Sequence, residues 1–138
     1  MSGGMGLLSL IQGRQRYRMT HISIGKVRLR ALIADTVLKR MIGLMYRDSL
    51  PKNLCMLFVF NSDGRPGIWM RNMHFPIDIL WLDSRKRIVD IFEDARPCHG
   101  LACETMYPSG KARYVIEANS GFARRKKLRI GAKASFKI

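Results

Sequence analysis

The sequence predicts a mainly β fold, a compact sandwich or barrel carrying one or two short helices. Three observations predict it. Apolar and basic residues alternate near the start, Cys55–Phe60 is a continuously apolar run, and many short β-branched or aromatic segments are separated by turn residues. With 138 residues, 47% of them hydrophobic and 25% charged, the chain suits one domain with a true core.

Residues 1–13 read as a flexible N-terminal extension, loosened by Gly3, Gly4 and Gly6, and residues 14–138 as a single β-rich domain. Leu7, Leu8, Leu10 and Ile11 form an apolar clump, but Ser9 interrupts it and no basic segment precedes it. The clump is far short of the roughly 20 apolar residues that span a bilayer. The expectation is therefore neither a secretory leader nor a membrane span, and a cytoplasmic location.

Arg14–Met19 and Lys26–Ala31 both alternate with period two, the second turning Val27, Leu29 and Ala31 inward, and Gly25 offers a turn between them. Such a hairpin would set six basic side chains on one face. Same-face neighbours would stand roughly 7 Å apart, close to the phosphate repeat of a nucleic-acid backbone. Asp35 reads as the cap of a helix over Thr36–Met45, with Val37, Met41, Leu44 and Met45 toward the core.

Cys55–Phe60 reads as a strand buried on both faces, and Asn61–Gly67 as a turn. Ile68–Met70 opens another strand. Ile77–Leu82 and Ile88–Phe92 pair through the loop at 83–87, and Arg113–Ala118 and Ala134–Ile138 supply late strands.

The net charge of +15 is unevenly placed. Residues 1–40 hold eight Lys/Arg and one acid, residues 41–110 eight of each, and residues 111–138 nine and one. A neutral centre between two basic ends is a pattern rather than a merely soluble surface. Arg124-Arg125-Lys126-Lys127, followed by Arg129, is the densest run, and such like charges repel unless an anion lies near.

Several ordered segments resemble the domain of unknown function 192 family. They are Gly43-Leu44-Met45-Tyr46-Arg47, Met56–Phe60, Trp69-Met70-Arg71-Asn72 with Pro76-Ile77-Asp78, Tyr114–Gly121, and Gly131. The resemblance covers about residues 27–136. It implies a small β-rich fold with no agreed activity. Cys55 stands where a glycine usually precedes Met-Leu-Phe, Met73 where a threonine usually follows Asn72, and Ala132 where an aspartate is common. Relatives are often exported and also carry cysteines near Cys98 and Cys103.

The most ligand-like group is Trp69, Asn72, His74 and Asp78, an indole beside amide and carboxylate groups suited to a small polar ligand. The competing structural role has Asp78 and Asn72 accepting backbone N–H groups and locking turns. Asp90, Glu93, Asp94 and Glu104 read as solvated partners of nearby cations. Cys98, Cys103, His99 and His74 form an incomplete zinc set, and in a reducing compartment the two cysteines are thiols by default, with a disulfide as the alternative.

The residues call for no cofactor, no metal and no catalytic constellation. The leading expectation is a non-enzymatic module for structured RNA, ribosomal RNA in particular. It would contact phosphates through Arg14, Arg16, Arg18, Lys26, Arg28, Arg30, Arg124, Arg125, Lys126, Lys127 and Arg129, with Tyr17 and His21 for stacking. The alternative is a small-ligand binder or weak enzyme at Trp69, Asn72 and Asp78.

Overall fold

The computed structural model describes residues 6–138. In chain order it contains α1 (Leu7–Arg14), β1 (Met19–Ile24), β2 (Val27–Ala34), α2 (Val37–Ile42), β3 (Leu54–Gly64) and β4 (Ile68–Trp69). There follow β5 (Ile77–Leu82), β6 (Ile88–Ala95), β7 (Thr105–Met106), β8 (Ala112–Asn119), α3 (Phe122–Arg125) and β9 (Ala134–Ser135). The fold is mainly β.

Seven strands form one sheet in the order β6-β5-β8-β3-β2-β1-β9, and β4 and β7 pair separately. All pairs are antiparallel except β2 with β3, which run parallel because α2 carries the chain across between them. The β1–β2 hairpin turns at Gly25, whose φ of 59° lies in the left-handed region that a glycine takes without strain.

Strand alternation separates two apolar clusters onto the two faces of the sheet. Met56, Phe58, Ile77, Ile79, Trp81 and Val115 face one side, under α2 and the segments at 44–50 and 68–73. Ile22, Leu29, Leu57, Leu80, Leu82 and Ile116 face the concave side, closed by Phe122, Ala134 and Phe136. Both clusters meet on β3, β5 and β8, so these three central strands are apolar on both faces.

The sheet curls until its ends approach through β9. This strand pairs with β1 at Ser23↔Ser135 and Ile24↔Ala134. Its other edge reaches β6 and the preceding loop: Ala134 N–H donates to Lys86 O (2.8 Å), and Ile88 N–H to Ala132 O (2.9 Å). β9 is thereby bonded on both of its edges and the start of β6 is covered, which shortens the open edge a seven-stranded sheet would otherwise present.

Several sequence expectations are corrected. Arg14–Met19 is not a strand: Arg14 ends α1, residues 15–18 are irregular, and β1 begins at Met19. The reason is tertiary, because Gln12 is buried and its Nε2 donates to Gly43 O (2.9 Å) and Met45 O (2.7 Å), fixing α1 against the body. Residues 1–5 of the expected extension lie outside the described residues. Thr36 rather than Asp35 caps α2, its Oγ1 accepting from Lys39 N–H (3.1 Å), while Asp35 pairs with Arg18. The helix stops at Ile42, Val37 faces solvent and Met41 is half exposed rather than in the core; Leu44 and Met45 are buried as expected.

Further along, the expected turn at Asn61–Gly67 is shortened because β3 continues to Gly64. The last strand covers Ala134–Ser135 alone. Cys98 and Cys103 are joined in a disulfide rather than held as thiols, in the loop between β6 and β7, whereas Cys55 is a free and fully buried thiol pushed up to about 12 by burial. Among the described residues, no helix is long and apolar enough to cross a membrane.

Candidate functional site

Two arrangements stand out, one charged and one recessed. The charged one is the outward face of β2, β1 and β9. On β1 and β2 the residues opposite one another are His21↔Arg30 and Ser23↔Arg28, and Ser23 is in turn opposite Ser135 of β9. Because alternate residues share a face, Arg28 and Arg30 of β2, His21 and Ser23 of β1 and Ser135 of β9 line up, and Lys133 and Lys137 flank β9 on the same alternation. Lys26 stands exposed at the turn beside them. Burial agrees with this assignment, since Ala134 and Phe136 are buried while residues 133, 135 and 137 are exposed. None of the three strands contributes an acidic side chain.

The two basic ends of the chain thus meet on one sheet face, but not through all the residues expected. Arg14, Arg16 and Arg18 precede the hairpin, and Arg18 is engaged by Asp35. Arg124 and Arg125 lie on α3, with Lys126, Lys127 and Arg129 in the turn after it, and Arg124 Nε stands 3.6 Å from Glu93. These cations form a second basic area outside the three-strand face. Tyr17 is no free stacking platform, because Lys39 and Arg47 lie over its ring at 5.4 and 5.7 Å. Lys133 and Lys137 reach this face through the pairing of β9 with β1, across more than 100 residues of chain.

The recessed arrangement is a cavity of about 180 Å³ at the end of α2. Met41, Met45, Phe58, Trp69 and Met73 line it, together with Glu117. Gly43 shapes the wall: its φ is 50°, and a Cβ there would stand 3.1 Å from the Phe58 ring. Glu117 is 4% exposed, and lies on β8 between Met56 of β3 and Ile79 of β5, both fully buried. Among the described residues no hydrogen bond or ion pair engages its carboxyl, and burial alone pushes it up to about 8.

Of the expected ligand group, Trp69 lines this cavity, whereas Asn72, His74 and Asp78 do not. Asn72 Nδ2 approaches Met45 Sδ at 3.9 Å, and His74 Nδ1 lies 3.7 Å from Asp48 with its ring edge-on to Tyr46. Asp78 is elsewhere. It pairs with Ala118 on the concave face, where Oδ1 accepts from Asp94 N–H (2.8 Å) and Gly121 N–H (3.2 Å) and Oδ2 from Ala123 N–H (2.9 Å). Asp78 thus holds the β6 end and α3 together, and Glu117 takes the position a pocket carboxyl requires. A signal for Glu117 was present in the sequence: it alternates with Val115, so it shares the face of a buried apolar residue.

Comparisons with known proteins agree with this architecture. The model of the DUF192 family, described as "Uncharacterized ACR", matches residues 20–136. A UPF0127 protein of Thermococcus gammatolerans is 38% identical over 94 residues, covering 67% of this chain and 56% of the relative. The chain thus spans a little over half the length of the Thermococcus relatives it matches.

A crystal structure from Sinorhizobium meliloti, of a candidate transcription regulator, superposes with a TM-score of 0.78 at 27% identity, covering 90% of this chain and 98% of that one. A protein of unknown function from Novosphingobium aromaticivorans gives 0.76 at 26% identity, covering 86% and 84%.

Proposed function

Starting from the fact that the chain belongs to the DUF192 family, we propose that this member is a non-enzymatic binding module for structured RNA, with ribosomal RNA as its target and the cytoplasm as its compartment. One observation carries the reading: the register of β2, β1 and β9 sets Arg28, Arg30, Lys133 and Lys137 on a single face without an acid among them. Four fixed cations, with Lys26 at the rim, cost the free domain self-repulsion that a bound polyanion relieves. Side chains anchored on strands meet phosphates at strand spacing and read backbone shape rather than base edges. Arg124–Arg129 would extend the contact to a second stretch of backbone.

Filter binding to a folded ribosomal RNA fragment tests the reading. With five phosphates neutralised, affinity should fall by between two and three orders of magnitude as salt rises from about 50 to about 200 mM. The double variant Arg28→Glu with Lys133→Glu should abolish binding while leaving the thermal transition in place. A flat salt response, or tighter binding to duplex DNA of the same length, would overturn it. DNA is the natural competitor because a solved neighbour bears a transcription-regulator name.

A further inference from the structure

A buried carboxyl without a donor is unusual, because a desolvated acid normally finds an N–H, an O–H or a cation. Glu117 has none among the described residues and sits in the lining of a cavity rather than in solid core. An ordinary core would fill this position with an apolar side chain at lower cost. The one other charged lining residue is Arg40 of α2, and it is already committed: Nη1 donates to Val59 O (3.0 Å) and the guanidinium stacks on Phe60 at 5.3 Å. The strands flanking Glu117 present only Met56 and Ile79 beside it, so no cation among the described residues answers it.

The rest of the wall suits the organic part of a ligand with a positive end. Met41, Met45 and Met73 bring polarisable thioethers, and Phe58 and Trp69 bring aromatic rings. Trp69 already accepts one cation, since the Arg71 guanidinium lies over its ring at 5.5 Å. An apolar cavity of about 150 Å³ accommodates benzene, so about 180 Å³ leaves room for one polar group more.

We infer that this cavity is a binding site for a small organic ammonium ion, an alkyl or aryl amine of roughly eight non-hydrogen atoms, with its N–H groups on the Glu117 carboxylate and its apolar body against the methionines and Trp69. The site is separate from the cationic sheet face and stands whether or not that face binds RNA. An ammonium supplies both the donors and the counter-charge that the carboxyl lacks. An anion would meet a carboxyl with no donor beside it. Binding an ammonium requires the carboxylate, so near pH 7 the carboxyl proton passes to solvent as the amine enters.

Calorimetric titration of the full chain with benzylamine, with benzyl alcohol as the neutral analogue, tests the site. Benzylamine should bind with release of close to one proton at pH 7, and its affinity should rise by roughly tenfold per pH unit between 6 and 8 as the carboxyl ionises. Glu117→Gln should lose at least tenfold in benzylamine affinity, as should Met41→Trp, which narrows the cavity and leaves the carboxyl in place. Benzyl alcohol binding as tightly as benzylamine, affinity independent of pH, or unchanged binding by Met41→Trp would each overturn the inference.

Discussion

Asp78 and Glu117 are carboxyls on neighbouring strands that point to opposite faces of one sheet: Asp78 pairs with Ala118, and Ile79 with Glu117. Both are buried, but their surroundings differ entirely. Asp78 accepts three backbone N–H groups, whereas no donor among the described residues reaches Glu117. One carboxyl is a fastening between β6 and α3, and the other borders a cavity with no partner among the described residues.

Removing the fastening should be costly. Asp78→Ala orphans three backbone donors, and each unmade buried hydrogen bond costs about 1–3 kcal/mol. Denaturant unfolding should show a loss of roughly 3 kcal/mol or more. A loss within a few tenths of a kcal/mol of zero would mean that water replaces the carboxylate freely.

Glu117 should make stability fall as pH rises. Its folded value of about 8 lies above the ordinary 4.5, so the folded state holds the proton more tightly. Its stabilising contribution is complete below about 4.5 and is lost as pH climbs through about 8. Urea midpoints between pH 5 and 9 should therefore decline for the natural chain and decline less for Glu117→Gln, by on the order of a few kcal/mol at the alkaline end. Parallel curves would refute this.

Gly43 should resist substitution. Gly43→Ala places a methyl group 3.1 Å from the Phe58 ring at a residue whose φ is 50°. The strain should cost about 1–3 kcal/mol and displace the wall of the Glu117 cavity, weakening benzylamine binding in the same sample.

Reduction of Cys98–Cys103 should be mild. The bond closes a loop with a sequence separation of only 5, and so constrains the unfolded chain by about 2 kcal/mol. Cys98→Ser with Cys103→Ser should lower the unfolding free energy by no more than that. The β4–β7 pair beside the loop should exchange amide protons faster than β3 or β8.

The sequence made some elements plain. Val27, Leu29 and Ala31 alternate with cations, and Cys55–Phe60 is apolar without a break, so a hairpin strand and a central strand were both legible. The same alternation misled at Arg14–Met19, where the anchoring of Gln12 under the turn at Gly43 and Met45 overrides a local period of two. The candidate RNA face was half legible: Lys26, Arg28 and Arg30 came from local pattern, but Lys133 and Lys137 join them through a pairing no local pattern encodes. Asp78 drew attention because it interrupts an apolar run, and it proved to be a structural acceptor. Glu117 drew none because the stretch around it is read as a strand first and its acid only as one negative charge.

The closure at β9 has a consequence for how the protein is made. A nascent chain can assemble β1, β2 and β3 soon after synthesis, yet β1 stays uncovered until Ser135 arrives more than 100 residues later. The start of β6 waits for the same segment. During translation both margins are open templates for another chain, so the interval before residues 132–136 emerge is when this protein is most exposed to aggregation and to chaperones.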